Sequence, residues 1–351
     1  MRTRNRLPIV IALILLSWVS VCAPAKEKNV GVWKPTSMVG PDAPQRVAVC
    51  PDGSIWTLYG PPDGGAPWSL ARSANGGTTW TTVLANSVDV GPPITLGNID
   101  LFVVDSENCA WVYTLSDGLS RFSPAGDLLT TTGLGFSLSQ MVFSPDGYLY
   151  RLSSADEGLD RVSWNGQVRT TPFHGDMIRD ITADSKGTLF AVGGDVHRSR
   201  DGGLNWETVL QGNIETPFYY ISVTRDDTIY IPYYFFKRST DGGQTWESLA
   251  LHGWGLMGLP DGSIAASFDA IISGGTFGSL LYRSWDRGNT WTEFMPGIVK
   301  EDYLYGGVVG TYGDQTVYAS FSFVESKSSQ NGLYRMLLPQ RAGADKAWPK
   351  Y

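Results

Sequence analysis

Aromatic rings beside carboxylates are the side chains of this 351-residue chain with the clearest chemical potential. They gather in segments that break the regular patterning: Trp68, His174, Asp176, Phe218, Tyr219, Tyr220, Tyr233, Tyr234, Phe235, Asp269, Glu301, Asp302, Tyr303, Tyr305 and Glu325. A ring can stack on a sugar or grip a peptide while a neighbouring carboxylate takes its hydrogen bonds. Trp68, Phe218, Tyr219, Tyr233, Tyr234 and Tyr305 are the candidate ligand contacts. The competing reading makes most of these rings ordinary strand residues. The three histidines and three cysteines show no metal-ligand spacing, and no cofactor is expected.

These segments hang on a repeat. Four stretches share S-x-D-x-G-x-T-W: Ser73-Ala74-Asn75-Gly76-Gly77-Thr78-Thr79-Trp80, Ser199-Arg200-Asp201-Gly202-Gly203-Leu204-Asn205-Trp206, Ser239-Thr240-Asp241-Gly242-Gly243-Gln244-Thr245-Trp246 and Ser284-Trp285-Asp286-Arg287-Gly288-Asn289-Thr290-Trp291. Ser and Asp at a strand end accept hydrogen bonds from turn amides. Glycine permits the positive φ of a hairpin, and Trp begins the next strand as an apolar anchor. An arginine precedes each copy (Arg72, Arg198, Arg238, Arg283), and Arg121, Arg161 and Arg335 keep the same beat. Upstream of each arginine, an apolar strand enters a polar turn such as Pro51-Asp52-Gly53 or Pro145-Asp146-Gly147 and leaves as an apolar-aromatic strand. That landmark also occurs seven times. Seven units of four short strands predict an all-β chain forming one seven-bladed β-propeller over residues 26–340, with a polar tail at 341–351.

The repeated turn resembles the Asp-box, or BNR repeat, of sialidase-like and sortilin-like propellers. The resemblance implies that Ser73, Asn75, Trp80, Ser199, Asp201, Trp206, Ser239, Asp241, Trp246, Ser284, Asp286 and Trp291 serve the hairpins. A residue present once per blade serves the blade, so the repeated arginines are architectural too. The seventh unit has neither box nor Trp strand after Arg335. The segment from Asn29 to Thr36, with Trp33, looks like the missing outer strand and is expected to close the ring.

Sialidases also resemble this chain in their boxes, but usually have six blades. Their chemistry implies three arginines on the substrate carboxylate, a Tyr nucleophile paired with a Glu, and an Asp acid/base. Carried over, Arg46 and Arg179 are the channel candidates, and Glu301, Asp302 and Tyr303 the candidates for catalysis. The Arg-Ile-Pro segment of sialidases is absent: Gln45-Arg46-Val47-Ala48 is the nearest stretch and lacks the proline. Seven-bladed relatives by resemblance include assembly propellers of the YCF48 type and xyloglucanases. The latter need two facing propellers, whereas this chain has length for one.

Residues 1–25 read as an export signal: Arg2, Arg4 and Arg6, then an uncharged apolar run, then Ala23 and Ala25 before a cleavage point. Cys22 in Val19-Ser20-Val21-Cys22 offers a lipidated alternative, and an uncleaved anchor is the third. The chain is therefore expected to be secreted or periplasmic, touching a membrane only through such an anchor. An oxidising compartment permits a bridge between Cys50 and Cys109, or two separate buried thiols. The net charge of −7 becomes −10 without residues 1–25, which argues against a nucleic-acid partner. Charged residues are 17%, which excludes a disordered chain. The sequence thus reads as a non-catalytic, monomeric binding or assembly module for a protein or glycan. The alternative is a sialidase-like glycoside hydrolase.

Overall fold

The computed structural model describes residues 31–39, 44–59, 68–88, 102–114, 116–134, 141–152, 158–172, 178–212, 218–232, 236–249, 254–271, 277–298, 303–311, 315–323 and 332–338. They build seven four-stranded antiparallel blades. The first two blades join into one sheet through a single bridge, Val88 to Thr114.

The inner strands are Pro44–Val49, Phe102–Val104, Met141–Phe143, Asp180–Ala183, Ser222–Val223, Trp254–Gly258 and Tyr303–Thr311. Each touches the next, and the last touches the first, so the ring closes around an axis. Blades are numbered 1 to 7 in this order.

Second strands have no solvent-exposed face, because both faces meet neighbouring blades. Ala110–Thr114 is buried at every position, as is Leu189–Val192. The core is accordingly a set of seams. Trp111, Tyr113 and Leu119 of blade 2 pack with Met141, Leu149 and Val162 of blade 3. Phe190 and Val192 of blade 4 pack with Ile229 and Ile231 of blade 5.

The turn between inner and second strands repeats one backbone device. One residue per blade has φ between 58° and 83°: Gly53, Asn108, Gly147, Gly187, Asp227, Gly262 and Gln315. Asn108 and Asp227 put that position to further use. The Asp52 amide donates to Asn108 Oδ1 at 3.1 Å, and the Ser185 amide to Asp227 Oδ1 at 2.9 Å. Both bonds tie a turn to the blade before it.

Blade 7 combines both ends of the described chain: Tyr303–Thr311, Thr316–Phe323, Gly332–Leu337 and, outermost, Lys34–Val39. Lys34 lies opposite Arg335, and Val39 opposite Gly332. The closing strand therefore starts later than the sequence pattern placed it. Trp33 stands just ahead of the strand, as Trp80, Trp206, Trp246 and Trp291 stand ahead of theirs, rather than within it.

The two cysteines in this region are free and buried. Cys50 follows an inner strand, whereas Cys109 precedes a second strand, so the bridge left open by the sequence is not formed. Residues 1–30, including Cys22, and the tail at 341–351 lie outside the described residues.

Candidate functional site

The four repeated turns spend their polar atoms on themselves. In each, a serine Oγ accepts the amide of the second glycine position: Gly77 to Ser73 at 2.9 Å, Gly203 to Ser199 at 2.9 Å, Gly243 to Ser239 at 2.8 Å and Gly288 to Ser284 at 2.7 Å. The same serine donates to the Asn or Asp two residues on. Asn75, Asp201, Asp241 and Asp286 then accept the amide of the residue just before the Trp: Thr79, Asn205, Thr245 and Thr290.

These bonds hold the carboxylates ionised. The Thr245 hydroxyl and amide pull Asp241 down to about 2, and the Thr290 amide and hydroxyl do the same for Asp286. The Asn205 amide and side chain lower Asp201. A carboxylate held this way is a turn acceptor and a poor proton carrier at neutral pH.

The indole N–H of Trp206, Trp246 and Trp291 donates back to the carbonyl of the preceding glycine, at 3.1, 3.2 and 3.0 Å. Trp80 differs: Gly77 O accepts from Ser37 instead, and the Trp80 indole nitrogen is buried without a partner among the described residues.

The second glycine of the turn is also a point of close approach. A Cβ on Gly77 would stand 2.8 Å from Thr36 Cγ2, and on Gly288 3.0 Å from Leu249 Cδ1, at φ of +83° and +92°. Thr36 and Leu249 each lie three residues after the Trp of the blade before, so glycine is needed for both backbone and packing.

The seven arginines fall into two groups, according to the acceptor each one reaches. Arg198, Arg238 and Arg335 reach a turn carbonyl of the next blade, at Gly242, Arg287 and Gly76. Arg198 and Arg238 also pair with the acid just past their own blade's Trp, Glu207 at 2.8 Å and Glu247 at 2.7 Å. Arg72, Arg121, Arg161 and Arg283 instead bind the aspartate of their own blade's first turn: Asp52, Asp105, Asp146 and Asp261. For Arg72, Arg121 and Arg283 the next blade carries none of the four turns. Arg161 is the exception, and its guanidinium lies 3.5 Å over the Tyr148 ring. All seven serve the blades.

First and third turns share one face of the ring, so the inner strands begin on the opposite face. There the structure brings together Arg179 and Tyr219. Arg179 precedes the inner strand of blade 4, anchored by its amide to Val192 O at 2.7 Å. Tyr219 approaches the inner strand of blade 5. The guanidinium stands 4.3 Å over the Tyr219 ring. Its Nε is buried and has no hydrogen-bond partner among the described residues. Next to it, Asp180 is 1% exposed and fixes the two strand starts, accepting the amides of Ile181 at 2.7 Å and Ile221 at 2.8 Å. The sequence reading missed Asp180. Its only signal is an acid at the head of an inner strand beside Arg179.

Two candidate ligand rings lie elsewhere. Trp68 is 6% exposed and packs with Trp56, Leu58 and Leu70. Phe218 is 7% exposed and packs with Val192, Ile221 and Ile231. Both are core residues, because the strand beneath them turns them into a seam. Arg46 lies in the inner strand of blade 1, and Tyr303 and Tyr305 in that of blade 7, opposite Phe323 and Ser322. Tyr233, Tyr234, Glu301 and Asp302, with His174 and Asp176, fall outside the described residues. Among the described residues no cluster of three or more His, Cys, Asp and Glu could hold a metal.

A closed ring of seven four-stranded blades, with its four repeated turns spent on architecture, defines a seven-bladed β-propeller. Solved structures agree. The chain is similar to virginiamycin B lyase from Staphylococcus aureus with quinupristin, at 12% identity and a TM-score of 0.59, covering 88% of this chain and 100% of that one. It is similar to YCF48 from Cyanidioschyzon merolae at 12% identity and a TM-score of 0.55, covering 88% and 99%. It is also similar to a GH74 enzyme from Niastella koreensis at 15% identity and a TM-score of 0.56, covering 84% of this chain and 57% of that one. No family model matches, and neither does any curated protein sequence. At such identities the likeness is one of fold.

Proposed function

We propose that this chain is an exported, non-catalytic propeller that binds a protein or glycan on the face where the inner strands begin. The observation that carries this is Arg179 stacked 4.3 Å over Tyr219, its Nε buried and unmatched among the described residues. An arginine held flat by an aromatic ring keeps its fork of donors directed at an acceptor. A carboxylate on a peptide or a sugar acid fits that fork best. The repeated turns support the Asp-box reading through their shared hydrogen bonds, and residues 1–25 support export. The structural neighbours are a lyase, a GH74 enzyme and YCF48, so fold alone leaves catalysis open.

The test is direct. The full chain without residues 1–25 is screened against acidic peptides and a glycan array. Its binding is compared with that of Arg179→Ala and Tyr219→Leu, with thermal melts as control. A ligand lost by at least roughly tenfold in Arg179→Ala, at unchanged melting, supports the reading. Release from a fluorogenic sialoside that Glu301→Gln or Asp302→Asn abolishes would sink it in favour of a glycoside hydrolase.

A further inference from the structure

One of the four repeated turns carries an amide where the others carry an acid. Asn75 stands in the place of Asp201, Asp241 and Asp286. Its Oδ1 already has their contacts, accepting the Thr79 amide at 2.9 Å and the Ser73 hydroxyl at 3.1 Å. The difference lies at the other end of the group. Asp241 Oδ2 accepts the Thr245 hydroxyl at 2.6 Å, and Asp286 Oδ2 the Thr290 hydroxyl at 2.7 Å. Asn75 Nδ2 must donate instead, and does so to the Thr79 hydroxyl at 2.8 Å. The turn is built for a carboxylate and holds a carboxamide.

Asn75 is followed by Gly76, and Asn165 by Gly166 in the matching turn of blade 3. An asparagine before glycine is open to attack on its Cγ by the glycine nitrogen, because no Cβ crowds that nitrogen. Both asparagines are exposed and both glycines half-buried. Both Oδ1 atoms have two donors, those of Asn165 being the Ser163 hydroxyl at 2.5 Å and the Gln167 amide at 3.3 Å. Such donors favour the negative charge that gathers on oxygen during attack.

The two sites differ at the nucleophile and at the leaving atom. The Gly166 amide is engaged in its turn, donating to Ser163 O at 2.9 Å. The Gly76 amide has no acceptor among the described residues. A hydroxyl that can relay a proton touches Asn75 Nδ2, whereas Asn165 Nδ2 has no partner among the described residues.

We propose that Asn75 is a site of spontaneous deamidation in the folded protein, and that the turn directs the product to aspartate. Gly76 N bonds to Asn75 Cγ and the Cγ–Nδ2 bond breaks. The proton leaving Gly76 N passes through the Thr79 hydroxyl to Nδ2, which departs as ammonia. Water then opens the cyclic imide at Cγ: its hydroxyl stays on Cγ and its proton returns to Gly76 N. Opening at the main-chain carbonyl would give isoaspartate, whose added backbone atom displaces the Gly77 amide from Ser73 Oγ. Aspartate keeps that bond and lets the Thr79 hydroxyl donate, as in the other turns.

The new charge falls on the seam that closes the ring. The Gly76 carbonyl accepts from Arg335 of blade 7 at 3.4 Å, and the Gly77 carbonyl from Ser37 of the closing strand. Conversion therefore brings a carboxylate toward a cation of the neighbouring blade and is expected to raise the melting temperature. The proposal does not rest on the function assigned to Arg179.

The full chain without residues 1–25 is incubated at pH 8, folded and in urea, and peptide mapping by mass spectrometry follows Asn, Asp and isoaspartate at positions 75 and 165. In the folded chain Asn75 should convert at least roughly tenfold faster than Asn165, chiefly to aspartate. Thr79→Val should slow position 75 by about tenfold or more, with position 165 and the melting temperature unchanged. In urea the two sites should convert at similar rates, with isoaspartate in excess. Asn75→Asp should melt above the fresh wild-type chain. Folded-state conversion of Asn75 no faster than that of Asn165 would overturn the proposal. So would isoaspartate as its main folded-state product, or a folded Thr79→Val that converts at the wild-type rate. If Thr79→Val fails to fold, the ratio of the two sites within the wild-type chain decides.

Discussion

The indole N–H of Trp33 donates to the carbonyl of Phe294 at 3.0 Å, and that of Trp246 donates to the carbonyl of Val209 at 3.1 Å. Phe294 and Val209 each lie three residues after the Trp of the preceding blade. A residue near the start of the described chain thus occupies the seventh copy of a position that the other blades fill from within. Trp33 is 2% exposed and meets Phe294 and Phe321 edge-on, at 5.5 and 5.4 Å.

Trp33→Ala is therefore expected to destabilise the whole ring rather than fray one end. Removing a buried Trp costs about 3–5 kcal/mol, and the Phe294 carbonyl loses its donor as well. Urea titration followed by fluorescence and by far-ultraviolet dichroism should show coincident transitions at a lower midpoint. A separate early transition, with the main one unchanged, would refute the closure role.

Arg151 and Asp160 form a pair at 2.9 Å with side chains 2% and 1% exposed, inside blade 3. The Thr170 hydroxyl donates to the other carboxylate oxygen at 2.7 Å. Burial holds the Arg151 guanidinium below its ordinary range despite its partner. Asp160→Ala strands that cation and should cost about 3–5 kcal/mol. The double change Arg151→Met with Asp160→Leu should recover most of the loss. Denaturation midpoints decide it, and a double variant as unstable as the single one would show that the charge is not the cause.

The turn carboxylates set a pH dependence. Asp241 titrates at about 2 when folded, because Thr245 donates both its hydroxyl and its amide. An unfolded Asp titrates at about 3.9. Its contribution is thus complete above about pH 4 and is lost as pH falls toward 2. In Asp241→Asn that loss is removed. Between pH 5 and 2 the wild-type chain should lose more stability than the variant, and parallel curves would show the carboxylate to be inert.

Burial pushes the Cys50 thiol up to about 11, and burial likewise raises Cys109. The thiolate is the reactive form, so both should resist alkylation at pH 8 in the folded chain and react fully in denaturant. Intact mass should match two free thiols. A mass lower by two hydrogens, restored by reductant, would mean a bridge.

The seven-part plan was legible because turn chemistry recurs along the chain: a polar turn after every inner strand, and Ser, Asp or Asn, and Gly before the outer strand in four units. Such devices act over a few residues and leave a local trace. The candidate site was legible only in part. Arg179 and Tyr219, forty residues apart, were both singled out, but nothing in the spacing says that one ring stacks on the other's guanidinium. Trp68 and Phe218 look as suited to a ligand as Tyr219 does. Which of the three is buried depends on the seam it meets.

The arginines show the division most clearly. Their period alone assigns all seven to the blades. That Arg238 reaches the Arg287 carbonyl of the next blade while Arg283 turns back to Asp261 is settled by contacts between segments distant in the chain. Local hydrogen bonding and strand alternation thus fixed the count, the turns and the order of strands in the sequence itself. The seams decided the rest, because burial and the satisfaction of buried polar atoms belong to pairs of blades and not to either one.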